Sequence, residues 1–197
     1  MLRNISFSPF SQRGLGGFKK YVEVKAVFLD RDGVINHAII REGKAYSPRT
    51  RDEFRIIEGA ASAVRALQDA GFKVLVVTNQ PDIARGLLSA ADLDWMTDQV
   101  LSETNVDEVL VCPHDDHHDC SCRKPQPGML LEGAARWDID LTRSFMVGDG
   151  WKDMEAGKKA GCTCILIDAP YNQGVGDDYR VKDLKSAVDL ITENKDN

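Results

Sequence analysis

The sequence predicts an α/β fold, a Rossmann-like, doubly wound and mostly parallel sheet flanked by helices. The first observation is that short apolar runs alternate with amphipathic segments of about 10–15 residues, a pattern that indicates β-α-β crossovers between parallel strands. The second observation is that each run holds three or four consecutive apolar residues without polar alternation, as in strands that helices cover on both faces. A covered parallel sheet is therefore the expected core of the molecule.

Five strands are predicted, one at each of these apolar runs. The first is Lys-Ala-Val-Phe-Leu at residues 25–29, and the second is Lys-Val-Leu-Val-Val at residues 73–77. Continuous runs of this length are typical of buried strands. The remaining predicted strands are residues 109–111, 144–147 and 164–167.

Five amphipathic segments predict the helices that cover the sheet. In the first of them, Val64 and Leu67 fall on one face, and Gly71 is a stop signal after it. The second opens on Ser89, a residue type that caps helix N-termini. Residues 37–55 have no clear periodicity, and we expect an irregular functional loop there. The predicted helices are residues 60–70, 89–101, 128–137, 151–160 and 183–191.

A chain of 197 residues is expected to form one domain, because it is long enough to bury a core without disulfides. Residues 1–20 carry four basic residues, three glycines and no acidic residue. We expect this stretch to be a flexible leader, with a targeting segment as the alternative. The single folded domain is then expected over residues 21–197.

The composition excludes several classes of protein. The chain is 43% apolar and 28% charged, which is the usage of a globular protein rather than a disordered one. Its longest apolar runs hold four residues, whereas a membrane span needs about 20. The net charge of −6 disfavours nucleic-acid binding. The odd cysteine count of five argues against a disulfide framework and for a reducing compartment, so we expect a cytoplasmic location. We also expect the chain to be a monomer.

Polar side chains follow the predicted strands, at the edge where doubly wound sheets bind ligands. Taken singly, each set is explained as a turn, a strand end or a helix cap. Because the sets follow four different strands of one predicted sheet, together they indicate a shared site. The sets are Asp30-Arg31-Asp32-Gly33, Thr78-Asn79-Gln80, Arg123-Lys124, and Gly148-Asp149 with Asp153.

These residue types suit phosphoryl transfer. Asp30 is the candidate nucleophile, because a carboxylate can form an aspartyl-phosphate. Asp32 is expected to protonate the leaving oxygen and then to activate water. Lys124 and the Thr78 hydroxyl are expected to hold the remaining phosphoryl oxygens. Carboxylate oxygens are also suitable ligands for Mg²⁺. The predicted Mg²⁺ ligands are Asp30, Asp32, Asp149 and Asp153.

A second metal site is predicted in residues 112–122, which hold three cysteines and three histidines. Three thiolates and one imidazole suit tetrahedral Zn²⁺ with no open position, which indicates a structural site. Such a site would fix the loop that ends in Lys124. His117 and His118 are expected to be solvated, and either is an alternative ligand in place of His114. The predicted ligands are Cys112, His114, Cys120 and Cys122.

The motifs at residues 28–35, 77–80 and 148–153, together with Lys124, resemble the four motifs of the haloacid dehalogenase-like phosphatases. The resemblance covers residues 25–167. Within that superfamily the chain is most similar to the branch that contains the heptose-bisphosphate and histidinol-phosphate phosphatases. This kinship implies Mg²⁺, an aspartyl-phosphate intermediate, a zinc loop and no large cap domain. No segment of the chain is long enough for a substantial separate cap, in agreement.

The resemblance implies removal of the 7-phosphate of D-glycero-D-manno-heptose 1,7-bisphosphate, on the route to nucleotide-activated heptose. Hydrolysis of histidinol phosphate or of another small sugar phosphate is the alternative. A polynucleotide-end phosphatase and a non-catalytic, zinc-stabilised binding module are weaker alternatives. The chain departs from the usual heptose enzyme at Pro81-Asp82, at Gly150 and in the longer loop 37–55, which are the positions where a different choice of sugar would arise.

Several residues are expected to contact the substrate. Arg123 is the candidate for a second anionic group, because its planar guanidinium suits phosphate, and a salt bridge within its loop is the alternative. Trp151 is expected to pack at the start of its helix, with a place beside the substrate as the alternative. The predicted substrate-binding residues are Asn79, Gln80, Arg85 and Arg123.

Overall fold

The computed structural model describes residues 24–193, so the leader predicted over residues 1–20 lies outside the described range. The strands in this range are β1 (Lys25–Leu29), β2 (Ile39–Arg41), β3 (Lys44–Tyr46), β4 (Phe72–Asn79), β5 (Glu108–Cys112), β6 (Phe145–Gly148), β7 (Thr163–Ile167) and β8 (Tyr179–Val181). The helices are α1 (Ala60–Asp69), α2 (Ala90–Thr104), α3 (Gly128–Trp137), α4 (Trp151–Ala160) and α5 (Leu184–Glu193).

Six of the strands form one parallel sheet in the order β5-β4-β1-β6-β7-β8. The chain first winds from β1 outward to β5, and then returns to the other side of β1 and winds outward to β8. The direction of winding therefore reverses between β1 and β6, which is the switch point of a doubly wound sheet. The predicted fold class is confirmed.

Helices cover both faces of this sheet, and β1, β4, β5, β6 and β7 each supply residues to both cores. Val27 and Leu29 face one core together with α1, α2 and α5. Ala26 and Phe28 face the other core together with α3 and α4. The apolar runs are continuous because neither face of these strands meets water.

The helix boundaries follow the signals in the sequence. The Ser89 hydroxyl accepts a hydrogen bond from the backbone N–H of Asp92 at 3.1 Å, as expected of an N-cap. α4 ends at Gly161, which adopts a left-handed φ of +89°. Among the helices of residues 24–193, none combines the length and apolar character that a membrane crossing requires.

Two short elements differ from the prediction. The segment expected to be irregular contains the hairpin of β2 and β3, which forms its own two-stranded sheet. Its turn residues Glu42 and Gly43 both have positive φ, 51° and 72°, as two-residue hairpin turns require. β8 extends the main sheet at its edge. All three strands are three residues long and mostly exposed, so they carry no apolar pattern to detect.

Candidate active site

The candidate site is a cleft of about 330 Å³ at the carboxyl edge of the sheet, beside the switch point. Asp30 directly follows β1, and Asp149 directly follows β6, the neighbouring strand at which the winding reverses. Lys124 comes from the segment before α3, and Asp153 from the first turn of α4. The predicted site residues that line the cleft are Asp30, Asp32, Asn79, Lys124, Asp149 and Asp153.

Lys124 is a buried cation that joins two carboxylates. Its Nζ atom lies 2.8 Å from Asp30 Oδ1 and 2.6 Å from Asp153 Oδ1. Burial by itself would lower the pKa of Lys124, but the two carboxylates outweigh burial and raise the pKa. The side chain of Asn79 accepts a hydrogen bond from the Lys124 N–H at 3.0 Å and donates to the Lys124 carbonyl at 2.9 Å. Lys124 is therefore a charged group in a fixed position.

Three carboxylates converge beside this lysine. Asp30, Asp149 and Asp153 each offer an oxygen within 4.8 Å of the other two. Burial, and to a lesser extent the charge of Asp153, raise the pKa of Asp149 to about 7. The same two causes raise the pKa of Asp30 well above its ordinary value. A divalent cation with oxygen ligands would remove the repulsion between these groups. The donor set therefore fits Mg²⁺.

The backbone beside these carboxylates leaves no room for side chains. Gly33 has a φ of +88°, and a Cβ atom there would lie 2.0 Å from Asp149 Oδ2. A Cβ atom on Gly148 would lie 2.3 Å from the Cβ of Asp153. Both glycines permit the close approach of the strand ends, because they are the residues without a Cβ.

Asp32 lines the same cleft, but its carboxylate has a separate set of partners. The fully buried Arg31 donates to both of its oxygens, at 3.0 and 3.1 Å. Burial would raise the pKa of Asp32, but Arg31 and three further hydrogen bonds outweigh burial and lower the pKa. The structure therefore places Asp32 outside the three-carboxylate group, as an ionised acceptor. Its other donors are Asn36, Ser47 and Gln80, at 2.9, 2.7 and 2.9 Å.

Thr78 and Gln80 lie behind the cleft surface. Thr78 is 1% exposed and Gln80 is 0% exposed. The Gln80 side-chain N–H donates to the Thr78 hydroxyl at 2.8 Å as well as to Asp32. The structure thus brings both residues to the site as buried support for Asp32, and neither lines the cleft.

The two predicted substrate-binding arginines are engaged elsewhere. Arg123 donates to Asp116 at 2.8 Å and to the His114 carbonyl at 3.1 Å. Arg85 donates through two nitrogens to Asp115, at 2.7 and 2.5 Å, and through its third to Asp82. Neither side chain is among those that line the cleft. The loop salt bridge that was the alternative for Arg123 is thus present.

The cysteine loop brings its four predicted ligands together. Cys122 Sγ lies 3.1 Å from Cys112 Sγ, 3.4 Å from Cys120 Sγ and 3.3 Å from His114 Nδ1. Ligands bound to tetrahedral Zn²⁺ at about 2.0–2.3 Å lie about 3.5–3.8 Å apart, so a small outward shift would surround one ion. Burial and the neighbouring sulfurs raise the pKa of the Cys122 thiol, and a bound cation would offset this effect.

The alternative histidines lie outside this group of four. His118 Nδ1 accepts a hydrogen bond from the Asp115 N–H at 3.1 Å, and its ring lies against that of His117 with centroids 4.1 Å apart. The described ligand group therefore contains His114 and neither of the two alternatives. Cys122, the last residue of this group, lies two residues before Lys124 and so links the cysteine loop to the cleft.

Several residues of the cleft were not predicted. Trp151, by contrast, is 52% exposed and lines the cleft, which agrees with its alternative and not with packing at the start of α4. Tyr171, in the loop after β7, donates from its hydroxyl to Asp149 Oδ2. Trp151 lies at a variable position of the motif at residues 148–153, and no motif includes Tyr171. The segment 37–55, which follows β1, was expected to be a functional loop, and it supplies part of the cleft wall. The other unpredicted lining residues include Lys44, Tyr46, Ser47, Lys152 and Asn172.

Comparisons with protein families and with individual proteins give relatives of one kind, the haloacid dehalogenase-like hydrolases. A family model for haloacid dehalogenase-like hydrolases matches residues 36–161. The chain is 42% identical over 148 residues to the D-glycero-β-D-manno-heptose-1,7-bisphosphate 7-phosphatase of Rhodopseudomonas palustris, covering 69% of this chain and 79% of the relative. It is 40% identical over 159 residues to the Escherichia coli K12 protein of the same name, covering 73% and 79%.

Solved structures agree with these relatives. The D,D-heptose 1,7-bisphosphate phosphatase of Bordetella bronchiseptica, complexed with magnesium and phosphate, matches with a TM-score of 0.76 and 30% identity over 87% of this chain and 99% of that chain. A HAD-like phosphatase of Mesorhizobium loti matches with a TM-score of 0.73 and 32% identity over 92% of this chain and 91% of that chain.

Proposed function

The chain belongs to the haloacid dehalogenase-like hydrolase family and is a phosphatase, and we propose that it removes the 7-phosphate of a D-glycero-D-manno-heptose 1,7-bisphosphate. The observation that carries the proposal is the contact of Lys124 with Asp30, one of the three carboxylates that converge at the switch point. This arrangement suits phosphate-ester hydrolysis. The sugar is inferred from the relatives, which are named heptose-1,7-bisphosphate 7-phosphatases. Histidinol phosphate, and small sugar phosphates other than the heptose bisphosphate, stay as alternative substrates.

Asp30 is the nucleophile in this proposal. Its Oδ1 atom accepts hydrogen bonds from the Arg31 N–H at 2.7 Å and from Lys124 Nζ at 2.8 Å. We therefore assign the attack on phosphorus to Oδ2, which forms the aspartyl-phosphate as the sugar oxygen leaves. The ammonium of Lys124 neutralises charge on the phosphoryl oxygens during this transfer.

Asp32 carries out the two proton transfers. It gives a proton to the departing sugar oxygen, and it then takes a proton from the water that hydrolyses the aspartyl-phosphate. The donors around Asp32 favour its ionised form, which suits the second transfer. The first transfer needs the protonated form, and an incoming phosphate dianion favours protonation of Asp32 through like-charge repulsion.

Two metal ions complete the proposal. Asp30, Asp149 and Asp153 would hold Mg²⁺, which would screen the carboxylates and the phosphoryl oxygens from one another. The cysteine loop would hold a structural Zn²⁺ through its three thiolates and His114. Reduced thiols are needed for that site, which supports a cytoplasmic location. We take the monomer as the active unit, because one chain supplies all of these residues.

The proposed function is tested by phosphate release with Mg²⁺ across a substrate panel. The panel holds both anomers of the heptose bisphosphate, histidinol phosphate, other sugar phosphates and a phosphorylated oligonucleotide. We expect kcat/KM for one heptose bisphosphate to exceed the others by about 10²-fold, which is about 2.7 kcal/mol of discrimination. A best rate with histidinol phosphate or with the oligonucleotide would contradict the proposed substrate.

Loss of the zinc ligand Cys122 is expected to reduce activity. We expect the purified protein to contain one zinc per chain, and Cys122→Ser to release it. Because Lys124 lies two residues beyond Cys122, kcat/KM should fall by about 10–100-fold, as when the support of a metal site is lost. Metal analysis and kinetics of the same sample measure both effects.

The matched control is Cys162→Ala, which removes a buried thiol outside the metal group. This control should retain the zinc and most of the activity. A Cys122→Ser protein with full zinc content, or one that is zinc-free and fully active, would contradict the assigned structural role.

A further inference from the structure

A bisphosphate substrate carries a second anionic group, and both predicted arginines are bonded to other groups of the protein in the structure. Arg123 is 8% exposed and is bonded to Asp116 and to the His114 carbonyl. Arg85 is held by two carboxylates. Since neither arginine lines the cleft, each would have to break these bonds to reach a substrate bound against Asp30.

Two lysines outside the predicted site residues also line the cleft. Lys44 opens β3 of the hairpin, and Lys152 lies in the first turn of α4. Together with Lys124, they are the basic residues among the described side chains that line the cleft. Lys124 is buried and held by Asp30 and Asp153 at the inner end of the cleft. Lys44 and Lys152 are therefore the lining cations that can bind an anion nearer the opening of the cleft.

The contacts of these lysines leave their charges available. The ammonium of Lys44 is exposed and makes neither a hydrogen bond nor an ion pair within residues 24–193. Lys152 lies 3.5 Å from an oxygen of Asp116, a carboxylate whose side chain is 70% exposed and which Arg123 also engages. Its ammonium lies 5.7 Å from the centre of the Trp151 ring. A phosphate could replace the long contact to Asp116 while Arg123 still neutralises that carboxylate.

Charge balance gives the chemical class of the ligand. The inner end of the cleft holds four carboxylates and one lysine, so an anion bound farther out meets a negative field unless cations lie beside it. Lys44 and Lys152 supply such charges from two different elements, the hairpin and α4. Two flexible ammonium groups suit a phosphate as point charges without demanding one geometry.

We infer that Lys44 and Lys152 form the subsite that binds the substrate's second phosphate, the one remote from the ester that is hydrolysed. This inference rests on the proposed function and adds the residues that select a bisphosphate over a monophosphate. It gives a role to the longer segment after β1, which supplies Lys44. Lys152 lies two residues after Gly150, where the chain departs from the usual heptose enzyme.

The test compares heptose 1,7-bisphosphate with heptose 7-phosphate, which differ in the remote phosphate alone. The readout is the ratio of their kcat/KM values in the wild type, in Lys44→Met, in Lys152→Met and in the double variant. We expect each single variant to lower the ratio by about 5–10-fold, and the double variant by about 30-fold or more. Lys182→Met is the matched control, since it removes an exposed positive charge away from the cleft.

The same comparison is made by binding, so that it does not depend on turnover. Calorimetric dissociation constants of the two sugars are measured in an Asp30→Asn chain with and without the two lysine substitutions. If the lysines contribute to bisphosphate binding in this chain but the wild-type chain does not hydrolyse the bisphosphate, the proposed function alone is contradicted. An unchanged ratio in the double variant, or a ratio that collapses in Arg123→Met instead, would overturn the inference. Failure to bind either sugar would overturn both.

Discussion

Replacing Asp30 by asparagine is expected to abolish turnover while the protein stays folded. An amide nitrogen cannot attack phosphorus, so we expect kcat to fall by about 10⁴-fold or more, the scale of losing a nucleophile. The fold should persist, because the asparagine Oδ1 can still accept the hydrogen bonds that Arg31 and Lys124 give to Asp30. Steady-state phosphate release and circular dichroism measure the two effects.

The control for this variant is Asp94→Asn, the same change on an exposed position of α2. It should leave the rate unchanged. A direct check for the covalent intermediate is to add substrate labelled in the phosphoryl group and to stop the reaction with acid. Label should remain on the wild-type protein as aspartyl-phosphate and be absent from Asp30→Asn. A folded Asp30→Asn enzyme with a substantial residual rate would exclude Asp30 as the nucleophile.

Replacing Lys124 by methionine is expected to lower both stability and rate. Lys124 is 2% exposed, and its partners Asp30 and Asp153 are 15% and 5% exposed, so its loss leaves two carboxylates buried without their cation. Removal of one member of a buried ion pair lowers the free energy of unfolding by about 3–5 kcal/mol. The loss of a group that neutralises the transferred phosphoryl should also lower kcat by about 10²–10³-fold. Urea unfolding and kinetics measure these effects.

Two further variants separate rate from stability at this position. Lys124→Arg keeps the charge but replaces a compact ammonium by a planar fork, so it should fold and still lose most of the rate. Lys159→Met removes an exposed lysine that donates to the Pro125 carbonyl, one residue beyond Lys124, and it should change neither quantity much. A Lys124→Met protein as stable as the wild type would mean that the buried pair contributes no net stability.

The sheet could be predicted because its burial is written in the sequence as unbroken apolar runs. Strands with helices on both faces have no polar side, so even short runs such as that of β1 stand out from their surroundings. β8 and the hairpin could not be found in this way. Their side chains face solvent, and their backbone is held by a neighbouring strand and by the turn at Gly43.

The inner part of the candidate site could also be predicted, because parallel topology brings strand ends to one edge. Asp30, Lys124 and Asp149 meet there although they are far apart in the chain. The partners of side chains in irregular loops could not be predicted. Arg85 and Arg123 pair with adjacent aspartates of the cysteine loop, and no periodicity indicates where such a loop lies.

The hairpin of β2 and β3 has a consequence for how this enzyme can evolve. It shares no strand with the six-stranded sheet, so mutations that lengthen, shorten or recharge it leave the backbone ladder of the sheet intact. Substitutions in this hairpin can therefore change which substrates bind while the six-stranded sheet and the position of Asp30 are preserved. The position that such drift must keep is Ser47, because its hydroxyl donates to Asp32 at 2.7 Å.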